Sequence, residues 1–397
     1  MKKSVKNAVY LGLLCGISYL AVYFARNILG TVTPQMLGEG YTETFIGEAS
    51  SIYFIFYAVG QLINGAIGDK IKARYMISIG LLMAGVTNFI FPRISYQHPS
   101  AALIVYGLTG FFLSMIYGPM TKTVAENTIP IYATRCSLGY TFASYFASPL
   151  AGVAAATFVW HNVFLAGSAI LGAMAVVCFV VFLFFEKNGI VKYNQYDNKK
   201  EKGGNIKVLV KHRIIRFSLI SIVTGVIRTT VVFWMPTYIS QHLGFSAENS
   251  ALIFTIATFA ISFATFISVF MFEKLGGNMD LTLRIMFIAS TIFFGLVYLT
   301  KSPVANIVFL ILAIMASDGA ASMLWSRYCP SLRDTGMVSG ATGFLDFLSY
   351  MAASISSTLF ANAVTDIGWG NLVLVWFGLM AFGIIISLPV KRKSAES

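Results

Sequence analysis

The sequence predicts an all-α polytopic membrane protein whose twelve transmembrane helices form two pseudo-symmetric six-helix bundles. Three observations carry that prediction. Of 397 residues, 57% are hydrophobic and only 11% charged, against roughly 25% charged in an ordinary soluble domain. The apolar residues gather into segments of about 20, the length of helix that crosses the hydrocarbon core of a bilayer. Landmarks of the first half of the chain return in the second half at nearly the same spacing.

The segments lie near 8–29, 45–68, 74–93, 101–122, 135–158, 161–186, 214–240, 247–272, 280–300, 303–326, 335–362 and 369–390. Backbone polar groups in lipid must be satisfied within the segment, which makes these helices. Barrel strands would alternate with period two, and these do not. Between the sixth and seventh segments lies the only long polar stretch, including Lys199, Lys200, Glu201 and Lys202. The expected organisation is therefore a bundle over 1–186, a linker over 187–213 and a second bundle over 214–397.

The formal charge of +12 could point to nucleic acid, but its distribution does not. If the N-terminus is cytoplasmic, twelve crossings return the C-terminus to the same side. All but four of the 28 basic residues then fall inside. Arg93 and Lys301 fall outside, and Arg26 and Arg228 belong to neither side. This asymmetry follows the positive-inside rule, so the expected surroundings are a cell (inner) membrane with both termini cytoplasmic and no nucleic-acid partner. A secretory signal is disfavoured because eleven more spans follow the first. The cysteines show no metal-ligand spacing and imply no disulfide framework, and the four histidines form no cluster. No phosphate-cradling loop or nucleophile elbow is present, so neither a cofactor nor an enzymatic activity is expected.

The repeat centres on the two unassigned arginines. Arg26 is followed eight residues later by Pro34, and Arg228 eight residues later by Pro236. Gly40-Tyr41-Thr42 matches Gly244-Phe245-Ser246, each presenting an N-cap residue to the next span. Gly68-Asp69-Lys70 matches Phe272-Glu273-Lys274. Asp69, Lys70, Arg74, Glu273 and Lys274 are expected to form a cytoplasmic gate through loop bases and helix ends. An unpaired arginine at a helix centre costs about 2.5–3.5 kcal/mol even on a lenient insertion scale, so Arg26 and Arg228 are expected to face an aqueous cavity. Each shares a helical face with polar residues: Tyr19 and Tyr23 with Arg26, and Ser221 and Thr224 with Arg228. Two guanidinium forks, one from each half, suit bidentate binding of carboxylate or phosphate oxygens. The alternative is that each pairs with a buried acid.

Residues 65–74, Gly-Ala-Ile-Gly-Asp-Lys-Ile-Lys-Ala-Arg, resemble the loop 2–3 signature of the major facilitator superfamily, with Lys72 where a glycine is usual and Ala73 where a base is usual. The resemblance implies the major facilitator fold and a secondary transporter with a midplane site between its halves. Within it, Tyr19, Tyr23 and Arg26 fit the Tyr-x3-Tyr-x2-Arg pattern of the organophosphate:phosphate antiporters. Arg228, Trp234, Pro236, Thr237 and Tyr238 fit that family's helix 7 pattern, and Gly40–Asp69 aligns with its helix 2 without a gap. By this resemblance Arg26 and Arg228 bind phosphate or another oxyanion, and Tyr19 and Tyr23 line the site. The departures are specific. Gln61 stands where the family usually has a cavity lysine, and Ser144 where glycerol-3-phosphate carriers have a histidine. Asn27, Phe233 and Thr258 stand where those carriers place a lysine and two acids. Loss of all three charges together is what mutual partners would show, since removing one would strand the others. Tyr57 and Gln61 lie on a helix 2 face with Tyr53 and Asn64 that can line the cavity.

Two acids come in their place, Asp318 and Asp346. Membrane-embedded acids are functional candidates by default. Two arginines and two aspartates sum to zero, which leaves three readings open: proton coupling with an anionic substrate, a substrate that also carries a cationic group, or internal Arg–Asp pairs. The expected function is secondary transport of a small organic anion, a phosphate ester or related oxyanion, by alternating access. Exchange against phosphate or coupling to protons is the expected mode. The alternatives are a proton-coupled carrier of a carboxylate, sulfonate or zwitterion, an exporter of amphiphiles, and a non-transporting phosphate-ester sensor, for which the linker and tails are short. The expected partners are the lipid bilayer and the small substrate, and the expected state is a monomer.

Overall fold

The computed structural model describes residues 2–68, 71–193, 209–210, 212–332 and 338–388. The first six helices are α1 (Lys2–Gly38), α2 (Glu43–Gly68), α3 (Ala73–Ile94), α4 (Pro99–Asn127), α5 (Pro130–Thr157) and α6 (Trp160–Lys187). The next four are α7 (Ile214–Gln241), α8 (Ala247–Lys274), α9 (Met279–Leu299) and α10 (Pro303–Tyr328). The continuous run Val338–Ser387 is two helices, α11 (338–367) and α12 (369–387), divided at Gly368 (φ 74°, ψ 167°). Hydrogen bonds show that the chain turns back there. Ser221 donates to the Leu345 carbonyl and Arg216 to those of Ile386 and Ser387, all near the start of α7, whereas Trp369 donates to Gln241 at the other end of α7.

α1 extends well past the apolar window 8–29, because the window marks the part that suits hydrocarbon and the helix continues through its polar ends. Thr31 and Thr33 satisfy their hydroxyls on carbonyls within the helix, so neither interrupts it. The repeated glycine and hydroxyl residue are explained by turn chemistry. Gly40 (φ 95°) and Gly244 (φ 78°) end their helices in the left-handed region that side chains avoid. Thr42 and Ser246 then accept from the amides of Phe45 and Asn249, capping α2 and α8.

The two sets of six differ in regularity. α7 contains a π-helical turn at Val226–Val231, and α10 contains another at Leu324–Tyr328. α8 is interrupted at Ser262 and Phe263. The four cysteines are free and buried.

Odd-numbered helices run away from the face that receives the end of α6 and the start of α7, and even-numbered helices run towards it. Near that terminal face Arg74 of α3 pairs with Glu186 of α6 at 2.9 Å. Burial and the Glu186 carboxylate push the Tyr193 phenol upward, so it stays a donor to Glu186. In the second half Arg213 and Arg216 pair with Asp280 of α9 at 3.0 and 2.9 Å. Near the far face the halves are joined. Gln241 donates to Glu43, Ser51 and Ser354 are hydrogen-bonded, and Thr255 donates to the Pro149 carbonyl. α2 and α11 approach closely at Gly47, where a Cβ would come within 2.5 Å of Ala361.

Candidate substrate site

Between the halves lie two adjoining chambers that share Tyr23, Ser144, Tyr145 and Arg228 in their walls. The smaller, about 80 Å³, lies towards the far face and is lined by Arg26, Asn27, Phe54, Thr258 and Asp318 among others. The larger, about 220 Å³, lies towards the terminal face and includes Tyr19, Tyr57, Gln61, Trp325 and Asp346. Of the residues proposed from the sequence, Arg26 lines the smaller chamber, Tyr19, Tyr57 and Gln61 the larger, and Tyr23, Ser144 and Arg228 both. Tyr53, Asn64, Ser221 and Thr224 line neither: Tyr53 packs on Tyr106, Asn64 donates to Ser114, and Ser221 and Thr224 donate to the Leu345 and Ile220 carbonyls.

The two arginines are held differently. Arg26 donates to the Tyr350 hydroxyl of α11 at 2.8 Å and to that of Tyr23 at 3.5 Å. Its guanidinium carbon lies 4.7 Å from the Tyr350 ring centre, 5.0 Å from Tyr23, 5.3 Å from Phe54 and 5.4 Å from Tyr57. A cation among aromatic faces is stabilised by the ring quadrupoles, about 0.5–2 kcal/mol per ring depending on desolvation. Arg228 sits within the π-turn of α7 and meets one ring, Tyr145, at 5.8 Å. An extra residue per turn rotates the side chains that follow, and such turns recur where a side chain must be aimed.

Among the described residues no ion pair joins either arginine to Asp318 or Asp346. Asp318 is 4% exposed, and its Oδ1 has no hydrogen-bond partner among the described residues. The internal Arg–Asp pairs considered from the sequence are not formed in this conformation.

Asn27, Phe233 and Thr258, the neutral residues at three places where glycerol-3-phosphate carriers hold charges, all meet at the smaller chamber. Asn27 donates to Ser148, Thr258 donates to the Phe254 carbonyl, and Phe233 packs against Gly30. Each is accommodated without a charged partner.

Of the residues expected at a cytoplasmic gate, those described lie near the terminal face and are held within their own halves. Asp69 and Lys70 fall outside the described residues. Arg74 reaches Glu186, and Glu273 lies 4.0 Å from Arg327, each pair within its own half. Lys274 rests over the Phe270 ring on its own helix. Sequence reasoning missed Glu186 and Asp280, whose partners are more than 60 positions away. It also missed the site residues Tyr145, Tyr117 and Trp325, since aromatic residues in membrane helices are ordinarily packing or interface residues.

Helices that meet around a central chamber, with the halves closed at one face, define a secondary transporter. The chain belongs to the Major Facilitator Superfamily, whose sequence profile matches residues 15–357. That superfamily comprises transporters, not enzymes. The chain is 21% identical to the glycerol-3-phosphate transporter of Bacillus subtilis (strain 168), over 91% of this chain and 86% of that one. It is 23% identical to the phosphoglycerate transporter protein of Salmonella typhimurium, over 92% and 85%. A membrane sensor protein of Escherichia coli (strain K12) is 20% identical over 94% and 90%. Among solved structures, a D-xylose-proton symporter superposes with a TM-score of 0.74 at 12% identity, covering 97% of this chain and 96% of that one. The nucleoside transporter NupG superposes with a TM-score of 0.72 at 13% identity, covering 95% and 98%.

Proposed function

We propose that this transporter moves a small organic anion, a phosphate ester or a related oxyanion, by alternating access. The observation that supports this most directly is that Arg26 and Arg228, one from each half, line the same central chamber. A guanidinium presents a planar fork of donors to an oxyanion and holds its charge at any physiological pH. An anion bridging both arginines lowers the cost of bringing two like charges together, so it favours the occluded form over the empty one. Exchange follows, because the loaded carrier crosses and the empty one resists crossing. The relatives named for glycerol-3-phosphate and phosphoglycerate support the same substrate class.

In this reading residues 1–186 and 214–397 rock as two bundles, and 187–213 links them on the cytoplasmic side. The terminal face is cytoplasmic, and the structure is the state closed away from it. Asp69, Lys70, Arg74, Glu273 and Lys274 act when the terminal face closes. Tyr19, Tyr23, Tyr57, Gln61 and Ser144 contact the substrate.

A second reading, proton coupling, rests on Asp318, a buried carboxylate in the same chamber as both arginines with an oxygen that no described residue bonds. Counterflow in proteoliposomes separates the two. An exchanger should take up labelled ester only into vesicles preloaded with ester or phosphate, whereas a proton-coupled carrier should also accumulate it in empty vesicles when a pH gradient is imposed. Absence of counterflow or thermal stabilisation with every phosphate ester, free phosphate and carboxylate tried would sink the anion reading.

A further inference from the structure

The charges are distributed unequally between the two chambers. The smaller holds two guanidinium groups and one carboxylate, Arg26, Arg228 and Asp318. Among the described residues the larger has one carboxylate, Asp346, and one guanidinium, the shared Arg228, so its formal charges cancel. Its walls around Asp346 are aromatic: Tyr19, Tyr57, Tyr117, Trp325 and Tyr350. Tyr57 and Tyr350 stand edge to face at 4.9 Å, and Tyr19 and Tyr117 pack at 5.5 Å. Trp325 is placed there by the π-turn of α10.

A simple anion has no use for the larger chamber. It would meet the Asp346 carboxylate as well as the shared Arg228, so this chamber offers an anion no net attraction. A proton could use Asp346 but needs no aromatic wall. An alkylated ammonium group uses both, because ring faces attract a desolvated cation and the carboxylate neutralises it.

We propose that the substrate is a small zwitterion, with its oxyanion in the smaller chamber on Arg26 and Arg228 and its ammonium group in the larger chamber on Asp346 and the surrounding rings. This deepens the anion reading and rests on it. Asp346 and Trp325 then determine specificity, and Arg228, which lines both chambers, stands where the two ends join.

Two esters of the same shape test it: phosphocholine and 3,3-dimethylbutyl phosphate, which replaces the ammonium nitrogen with carbon. Binding of each to the purified full-length protein is measured by calorimetry, with melting temperature as the check on folding. The expected result is that phosphocholine binds at least about tenfold tighter, the size of a desolvated cation–π site with its counter-charge. Asp346→Asn should bring the two esters within about twofold by weakening phosphocholine, and Trp325→Leu should shrink the preference roughly threefold. Arg228→Gln should weaken both. Equal binding of the two esters by the wild type overturns the proposal and leaves the anion reading standing, as does equal weakening of both by Asp346→Asn. Binding that ignores Arg228→Gln overturns the anion reading itself. Should Asp346→Asn fail to fold, the wild-type ratio and Trp325→Leu still decide the matter.

Discussion

Arg26 and Arg228 stand at matching places in an internal repeat, each eight residues ahead of a proline, yet their surroundings are unlike. Arg26 projects from an unbroken α-helix into four aromatic rings, and its hydrogen bond to Tyr350 crosses from one half of the molecule to the other. Arg228 projects from a π-turn and touches a single ring. Duplication supplied two equivalent charges, and the packing around them has made one a fixed link between the halves and left the other more available to a ligand. The lesson is that sequence symmetry in such a protein sets positions and leaves roles open.

The largest test of this contrast is Arg228→Lys. An ammonium cannot reproduce the bidentate fork, and Arg26, held by Tyr350 and its aromatic surroundings, cannot take over the second half of the clamp. Transport in proteoliposomes should fall by about a hundredfold or more, the loss of roughly 3 kcal/mol of charge-assisted bonding, while the melting temperature stays unchanged. Full activity of both this variant and Arg26→Lys would remove the two-arginine site. Arg26→Lys should also abolish most transport, but here the melting temperature should drop as well, because the aromatic surroundings lose the flat cation that packs among them.

Tyr350→Phe sharpens the comparison further. It removes one hydrogen bond to a charged group and keeps the ring, so a loss of about tenfold is expected, in keeping with about 1.5 kcal/mol. The loss should appear in the transport rate more than in substrate affinity if the bond couples the halves. An affinity loss with an unchanged rate would place Tyr350 on the substrate instead.

The smallest effect is expected far from both arginines. Glu186→Gln breaks the ion pair with Arg74 at the terminal end of the first half. A partly buried pair of this kind should shift the melting temperature by only about 2–4 °C and leave transport within about twofold. The corresponding change in the second half, Asp280→Asn, should cost more, because Asp280 serves both Arg213 and Arg216.

Much of this molecule could be read from its residues. Hydrophobic length and the scarcity of charge located the spans, because a bilayer core admits only helices with satisfied backbones. The Gly40 and Gly244 turns and the Thr42 and Ser246 caps were legible, because both are local chemistry. Arg26, Arg228, Asp318 and Asp346 stood out because charge in hydrocarbon is costly and therefore conspicuous. The boundary at Gly368 was placed in the right gap by the break between two apolar windows.

Only the tertiary structure decided the rest. Nothing in the local sequence distinguishes the π-turns at Val226–Val231 and Leu324–Tyr328 from ordinary helix, since an inserted residue leaves composition unchanged. No spacing rule connects Arg26 to Tyr350 or Arg74 to Glu186, whose partners come from helices far apart in the chain. Nor could the aromatic wall around Asp346 be told from packing residues, because a tyrosine or tryptophan is as much at home against a neighbouring helix as against a ligand. The sequence by itself determined which groups are too polar to face lipid. The packing of twelve helices decided which of those groups face one another, because that depends on distances between segments and not on order along the chain.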